Sequence, residues 1–203
     1  MRGVLADLAL EYEAAVALVV RVATAFEASD GPERAFARLS VALAKYWLTK
    51  RNPGFVFECM ECMGGAGYVE ESPLPRLYRE APLNAIWEGS GNVIALDVLR
   101  TLAKEPQARE AFLAECNAQR GQHGHFDTAL DTLIADMEKP VGEAQARALT
   151  GRMALQLQAA LLLAHAPAAI AEAFSESRLG PTNGRLFGVL PDGADIQAIL
   201  DRQ

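Results

Sequence analysis

From Val4 to Phe26 the chain runs without a glycine or proline, and apolar residues recur at Leu5, Leu8, Tyr12, Ala15, Val16 and Val19, with Val20, Val22 and Phe26 widening the stripe. Steps of three and four residues are those of an amphipathic α-helix, and a helix of about six turns must cover its apolar side with other elements. Composition says what those elements are. Apolar residues make up 51% of the 203 positions and are carried largely by Ala and Leu, while aromatic residues reach only 7%. Such a supply favours helices and disfavours a β-sandwich or barrel. The expected fold is all-α, a helical bundle with one sizeable core or two small ones.

Hydropathy, cysteine spacing and charge exclude or weaken several classes of function. The longest apolar run, Ala14 to Val20, is far short of the roughly 20 residues of a membrane span, and no basic-then-apolar leader is visible. Three cysteines at irregular spacing do not suit a disulfide framework, so reduced thiols in a cytoplasm are expected. A net charge of −7 and a pI near 5.0 supply no overall drive towards nucleic acid or anionic lipid. The charge is uneven: residues 1–104 hold 13 acids and 11 bases, residues 105–203 hold 13 acids and 8 bases, so the second half is the poorer candidate for nucleic acid.

Punctuation divides the chain after the first helix. Ser29-Asp30-Gly31-Pro32 ends it, and a second helix is predicted from Pro32 to about Lys50, with Asn52-Pro53-Gly54 as its stop. A third segment, Phe55 to Met63, runs into Gly64-Gly65-Ala66-Gly67, and Tyr68 to Trp87, with three prolines, reads as an irregular connection with at most one short helical turn. Helices are then predicted from about Val93 to just before Pro106, from Gln107 to Gln119, and from Phe126 to Glu138 after a Gly and His interruption. A long Ala-Leu helix from Val141 to Phe174 should be kinked or divided by Pro167. Ser177 to Pro191 reads as a loop-like tail, followed by a short turn around Ile196 to Leu200.

Four groups of residues could carry chemistry. Cys59 and Cys62 form a CxxC, but no second pair stands at zinc spacing, so two soft side chains packing a helix is the stronger reading. His123 and His125 flank a glycine and read as a surface loop rather than a metal clasp. Gly64, Gly65 and Gly67 lack the residues of a nucleotide-binding loop and follow a helix, not a strand, which leaves two readings: a helix cap with a tight turn, or backbone open to a phosphate. Glu88, between Trp87 and Gly89 and followed by Ser90, Gly91 and Asn92, could cap the next helix. Equally, it could be a general base behind an aromatic wall that excludes water and raises its pKa.

Taken in order, Glu61-Cys62-Met63-Gly64-Gly65-Ala66-Gly67-Tyr68, Pro75-Arg76-Leu77-Tyr78-Arg79-Glu80 and Ile86-Trp87-Glu88-Gly89-Ser90-Gly91-Asn92 resemble the C-terminal helical domain of the acyl-CoA dehydrogenase family. Within it, Leu74 to Asn84 together with Trp87 to Asn92 are most similar to the AidB-like, alkylation-response branch, as are the region after Pro106 and the tail motifs Ser177-Arg178-Leu179-Gly180 and Gly184-Arg185-Leu186-Phe187-Gly188. The resemblance implies residues 1–105 as the family's helical-bundle domain, begun inside its first helix, and 106–203 as a helical extension and tail. It implies FAD contacts at Gly64, Gly65, Gly67, Ser90 and Asn92, and Glu88 as the base that removes the α-proton of an acyl-CoA. Glu61 stands where the family usually has Gln and is left out of the binding set. The resemblance also implies a homo-oligomer, and two preceding domains that hold most of the flavin and acyl-CoA sites, so this portion alone is expected to hold little FAD and to show no turnover.

Arg34, Arg38, Lys45, Lys50 and Arg51 have two readings, a DNA contact and a solvated helix face. The alternatives to an alkylation-response protein are a fragment of a catabolic short- or branched-chain dehydrogenase and a non-enzymatic helical interaction module.

Overall fold

The computed structural model describes residues 1–181, 187–191 and 193–202, and among them there are helices and no strands. In chain order these are α1 (Arg2–Phe26), α2 (Gly31–Cys62), α3 (Gly65–Tyr68), α4 (Leu74–Glu80), a 3-10 turn (Leu83–Ala85), α5 (Gly91–Lys104), α6 (Pro106–Asn117), α7 (Gly124–Met137), a second 3-10 turn (Glu143–Gln145), α8 (Ala146–His165), α9 (Ala168–Leu179) and α10 (Ile196–Leu200). The all-α bundle is as expected. Pro167 divides the long Ala-Leu segment, standing just before α9, where its missing N–H costs nothing.

One expected break is absent. Asn52-Pro53-Gly54 does not end a helix; α2 continues through it to Cys62, a rod of 32 residues and about 48 Å. Proline removes a bond and crowds the preceding turn, yet α2 packs against α1, α5, α6 and α8 and, beyond Pro53, Met60 lies under Gly67 of α3 and Phe57 against Tyr78 of α4. Packing outweighs the local cost. The stretch Tyr68 to Trp87 is also more ordered than expected, because Pro75 sits in the first turn of α4, where proline is well suited.

The core runs through both halves of the chain. Phe36, Phe112, Phe126 and Phe174 are fully buried with Leu10, Leu18, Leu39, Leu43, Leu130 and Met153, and each large side chain contributes roughly 1.5–3 kcal/mol. α8 is buried on almost every side from Leu149 to Leu162, and its alanines admit close neighbours.

The face that α1 turns inward was not the one with the largest residues. Of the expected stripe Leu8 is buried, with Ala6, Leu10, Ala14, Leu18 and Ala25, whereas Leu5, Tyr12, Val16, Val19, Val20 and Phe26 remain exposed. Two acids share the buried side. Asp7 and Glu11 receive Arg178 from α9, Glu11 also receives Arg51 from α2 at 2.8 Å, and the Asp7 carboxylate accepts the Gly188 N–H at 2.7 Å. Phe187 packs against Phe55 and under the Arg51 guanidinium, 4.7 Å from ring centroid to charge. This ionic group fastens the tail to the first two helices. The Gly184-Arg185-Leu186 part of the tail motif lies outside the described residues.

Candidate active site

The glycine run caps α2 and starts a single turn of helix. The Gly64 N–H donates to the Glu61 carbonyl at 3.0 Å, Gly64 takes a left-handed φ of 58°, and Gly67 donates back to the Gly64 carbonyl at 2.9 Å. Gly67 is buried flat on α2: a Cβ there would collide with the Met60 carbonyl and come within 2.9 Å of its Cα. Gly65 differs, being exposed with nothing within 4 Å of where its Cβ would stand. The fold requires Gly64 and Gly67 but makes no demand at Gly65. Gly67→Ala should therefore cost about 1–3 kcal/mol in urea denaturation through overpacking, while Gly65→Ala should leave stability unchanged or raise it by up to about 1 kcal/mol through helix propensity. Equal losses at the two positions would refute this division.

Glu88 sits on a turn clamped from three sides. The Trp87 N–H donates to the Leu83 carbonyl at 3.1 Å and its indole Nε1–H donates to Asn84 Oδ1 at 3.1 Å. Lys45 of α2 donates through Nζ to the Trp87 carbonyl at 2.6 Å. Beyond the turn, Gly91 opens α5 beneath the Lys50 side chain and the Tyr46 ring, and a Cβ there would displace the end of Lys50. Glu88 has a φ of 51° and Gly89 one of 109°, so two successive residues are on the left-handed side. For Glu88 such a conformation costs roughly 1–2 kcal/mol. Among the described residues its carboxylate has no hydrogen-bond or ion-pair partner, and neither it nor Ser90 caps α5 with a side chain. The capping reading is thereby removed.

The dry wall expected around this carboxylate is not formed. Glu88 is exposed and Trp87 is 53% exposed, because the indole turns towards Asn84 and does not close over the acid. Ser90 and Asn92 are exposed beside it. Asn84 also lines a cleft of ≈ 270 Å³ between α1 and α2, with Tyr12, Leu48, Arg51 and Phe55. The glycines are not part of this group: Lys45 marks the Glu88 turn and Cys62 the glycine turn, about 25 Å apart along α2. Two separate surfaces are presented.

The basic residues do not form a stripe. Arg38 pairs with Asp97 at 3.0 Å and Glu105 at 3.1 Å, Arg51 pairs with Glu11, Lys45 is spent on the Trp87 carbonyl, Lys50 lies along Gly91, and Arg34 lies 5.5 Å over the Phe26 ring. With Arg38 and Arg51 neutralised by carboxylates, a phosphate-tracking surface is not supported. Cys59 and Cys62 are free and half-buried, and burial pushes both thiols up, away from the reactive thiolate; Cys116 is free in the core. Among the described residues no group of three or more His, Cys, Asp or Glu is arranged to hold a metal ion. His123 caps α7 instead, its Nδ1 accepting the His125 N–H at 3.2 Å, and His125 Nε2 lies 3.3 Å from Glu176 of α9.

Sequence reasoning missed Lys45 as a support of the Glu88 turn, and it missed the Asp7–Glu11–Arg51–Arg178 group. The second left a signal: two acids four apart inside the apolar pattern of α1.

Residues 1–103 match the model of the acyl-CoA dehydrogenase C-terminal domain. The chain belongs to the acyl-CoA dehydrogenase family. Members of this family depend on FAD and bind acyl-CoA. The chain is similar to AidB of Escherichia coli, 40% identical over 185 residues that cover 91% of this chain and 34% of AidB. It is also similar to the short/branched chain specific acyl-CoA dehydrogenase of rat mitochondria, 32% identical over 103 residues that cover 51% of this chain and 22% of the relative. Among solved structures, Caenorhabditis elegans ACDH-11 in complex with C11-CoA matches with a TM-score of 0.71 at 25% identity, covering 82% of this chain and 33% of that one. The chain thus spans about a third of the length of AidB and of ACDH-11.

Proposed function

We propose that this chain is the C-terminal part of an AidB-like flavoprotein that removes the α-proton of an acyl-CoA or a related small molecule, with Glu88 as the base and with the alkylation response as its setting. The observation that carries the reading is the reach of the likeness: the match to AidB continues through the second half of the chain, whereas the match to the catabolic rat enzyme covers 103 residues. In this reading residues 1–105 are the family's bundle and 106–203 an extension packed onto it. FAD, when bound, supplies the hydride acceptor.

The residues present fit such a group at two places. Gly65 leaves its outer side open to a close approach, and the first turn of α5 carries neither a side-chain cap nor an acid, so its first N–H groups keep no side-chain acceptor beside Ser90 and Asn92. Glu61, exposed, stays outside the binding set. Because the two places lie at different points along α2, they suit two flavins in an oligomer better than one. Among the described residues the Glu88 carboxylate is unpaired, and it stands on a clamped turn, ready to accept a carbon-bound proton once a covering surface excludes water. Since the described residues do not supply that cover, the chain alone is expected to be inactive.

A hybrid tests the reading directly. The portion of E. coli AidB that precedes its matching segment, continued by residues 1–203, should purify with flavin absorbance, while residues 1–203 alone should be colourless. A folded hybrid that neither retains nor takes up FAD would overturn the proposal.

A further inference from the structure

We infer that Lys45 is a positioning residue for Glu88, holding the acid in its left-handed conformation through the Trp87 carbonyl; its catalytic meaning rests on the reading of Glu88 as the base. The plane of the peptide between Trp87 and Glu88 is set by the ψ of the first residue and the φ of the second. A change of Glu88 from a φ of 51° to an ordinary negative value turns that plane or redirects the chain after it. Lys45 Nζ grips the plane by its oxygen at 2.6 Å, a charge-assisted bond shorter than an ordinary amide one.

The anchor is firm at the other end. Lys45 lies mid-way along α2, and its own carbonyl accepts the Thr49 hydroxyl at 2.7 Å. One residue on, Tyr46 is buried against α5 and its ring faces Gly91. The indole bond to Asn84 orients the Trp87 side chain, not the peptide that follows it. The Trp87 N–H bond to the Leu83 carbonyl holds the peptide before Trp87, and among the described residues the hold on the peptide between Trp87 and Glu88 comes from Lys45. Gly89, at a φ of 109°, needs no such hold, since glycine adopts it freely. A carboxylate meant to meet a carbon acid benefits from this arrangement, because misplacement by about 1 Å can cost on the order of 100-fold in rate.

The test uses residues 1–203, labelled for NMR, with Lys45→Met to remove the donor at similar length and Lys45→Arg to restore one. A left-handed residue gives a strong intraresidue amide–Hα NOE. Wild type and Lys45→Arg should show it at Glu88, and Lys45→Met should lose it while melting within a few degrees of wild type. A Lys45→Met chain that keeps the NOE overturns the inference; so does one that loses it only by unfolding while Lys45→Gln, folded and with a donor too short to reach, keeps it. In the AidB hybrid, Lys45→Met should lower kcat by about 100-fold with KM little changed. If Glu88→Gln leaves hybrid turnover intact, the reading of Glu88 as base fails while the NOE still decides the role of Lys45.

Discussion

Glu88→Gln should abolish turnover in the AidB hybrid, lowering kcat by several orders of magnitude while flavin content and melting temperature stay at their starting values. The amide is isosteric with the acid but accepts no proton, and a carbon acid cannot be deprotonated at a useful rate without a base in contact with it. The structure makes the substitution unusually clean. Among the described residues the Glu88 carboxylate pairs with nothing and caps nothing, so removing its charge strands no partner. The backbone stays held by Lys45 and by Gly91 under Lys50. A fall in turnover with unchanged stability would separate chemistry from folding, and a variant retaining more than a tenth of wild-type turnover would remove Glu88 from the mechanism. Solvent exchange of the acyl-CoA α-proton, followed by NMR, reads the same step directly and should vanish with the same change.

The second large effect concerns folding. Arg178→Met should destabilise residues 1–203 by about 3–5 kcal/mol in chemical denaturation, because it leaves two buried carboxylates, Asp7 and Glu11, short of a cation. Asp7 is fully buried and Arg178 nearly so, and their bond joins the beginning of the bundle to α9. The cost follows from breaking the pair and not from the pair's own strength: Asp7→Leu combined with Arg178→Met should recover much of the loss, since desolvating both ions already offsets most of their attraction. The double variant still forfeits the Asp7 bond to the Gly188 N–H, which sets a floor on the recovery. A single variant within 1 kcal/mol of wild type would show that the group does not hold the tail.

Much of the fold could be read from residues. The steps of three and four in α1, the glycine and serine before α5, the proline that opens α6 and the proline that divides α8 from α9 each act through local geometry, and local geometry is what a sequence displays. Pro53 was misread because its cost is local whereas the packing that outweighs it comes from helices distant in sequence. The side of α1 that faces inward was misread for a related reason. Spacing pointed to Tyr12, Val16 and Val19, but the buried residues are Ala6, Leu8, Ala14 and Leu18, with Asp7 beside them paired to Arg178. At the candidate site, Glu88 and the glycines stood out by motif. Their exposure did not, since burial by a wall depends on which way Trp87 turns.

The uninterrupted course of α2 has a consequence for motion. One rod carries the glycine turn at its end and supports the Glu88 turn at its middle, so neither turn can be released by the slow breathing of a separate helix hinged at Pro53. Amide protons along the inner face of α2, at Phe36, Leu39 and Leu43, should exchange only with global unfolding, whereas the two turns exchange quickly by small local openings of their own. Flexibility at the candidate site is thereby confined to a few residues on a stiff spine, and a ligand that orders one turn has no soft joint through which to disturb the other.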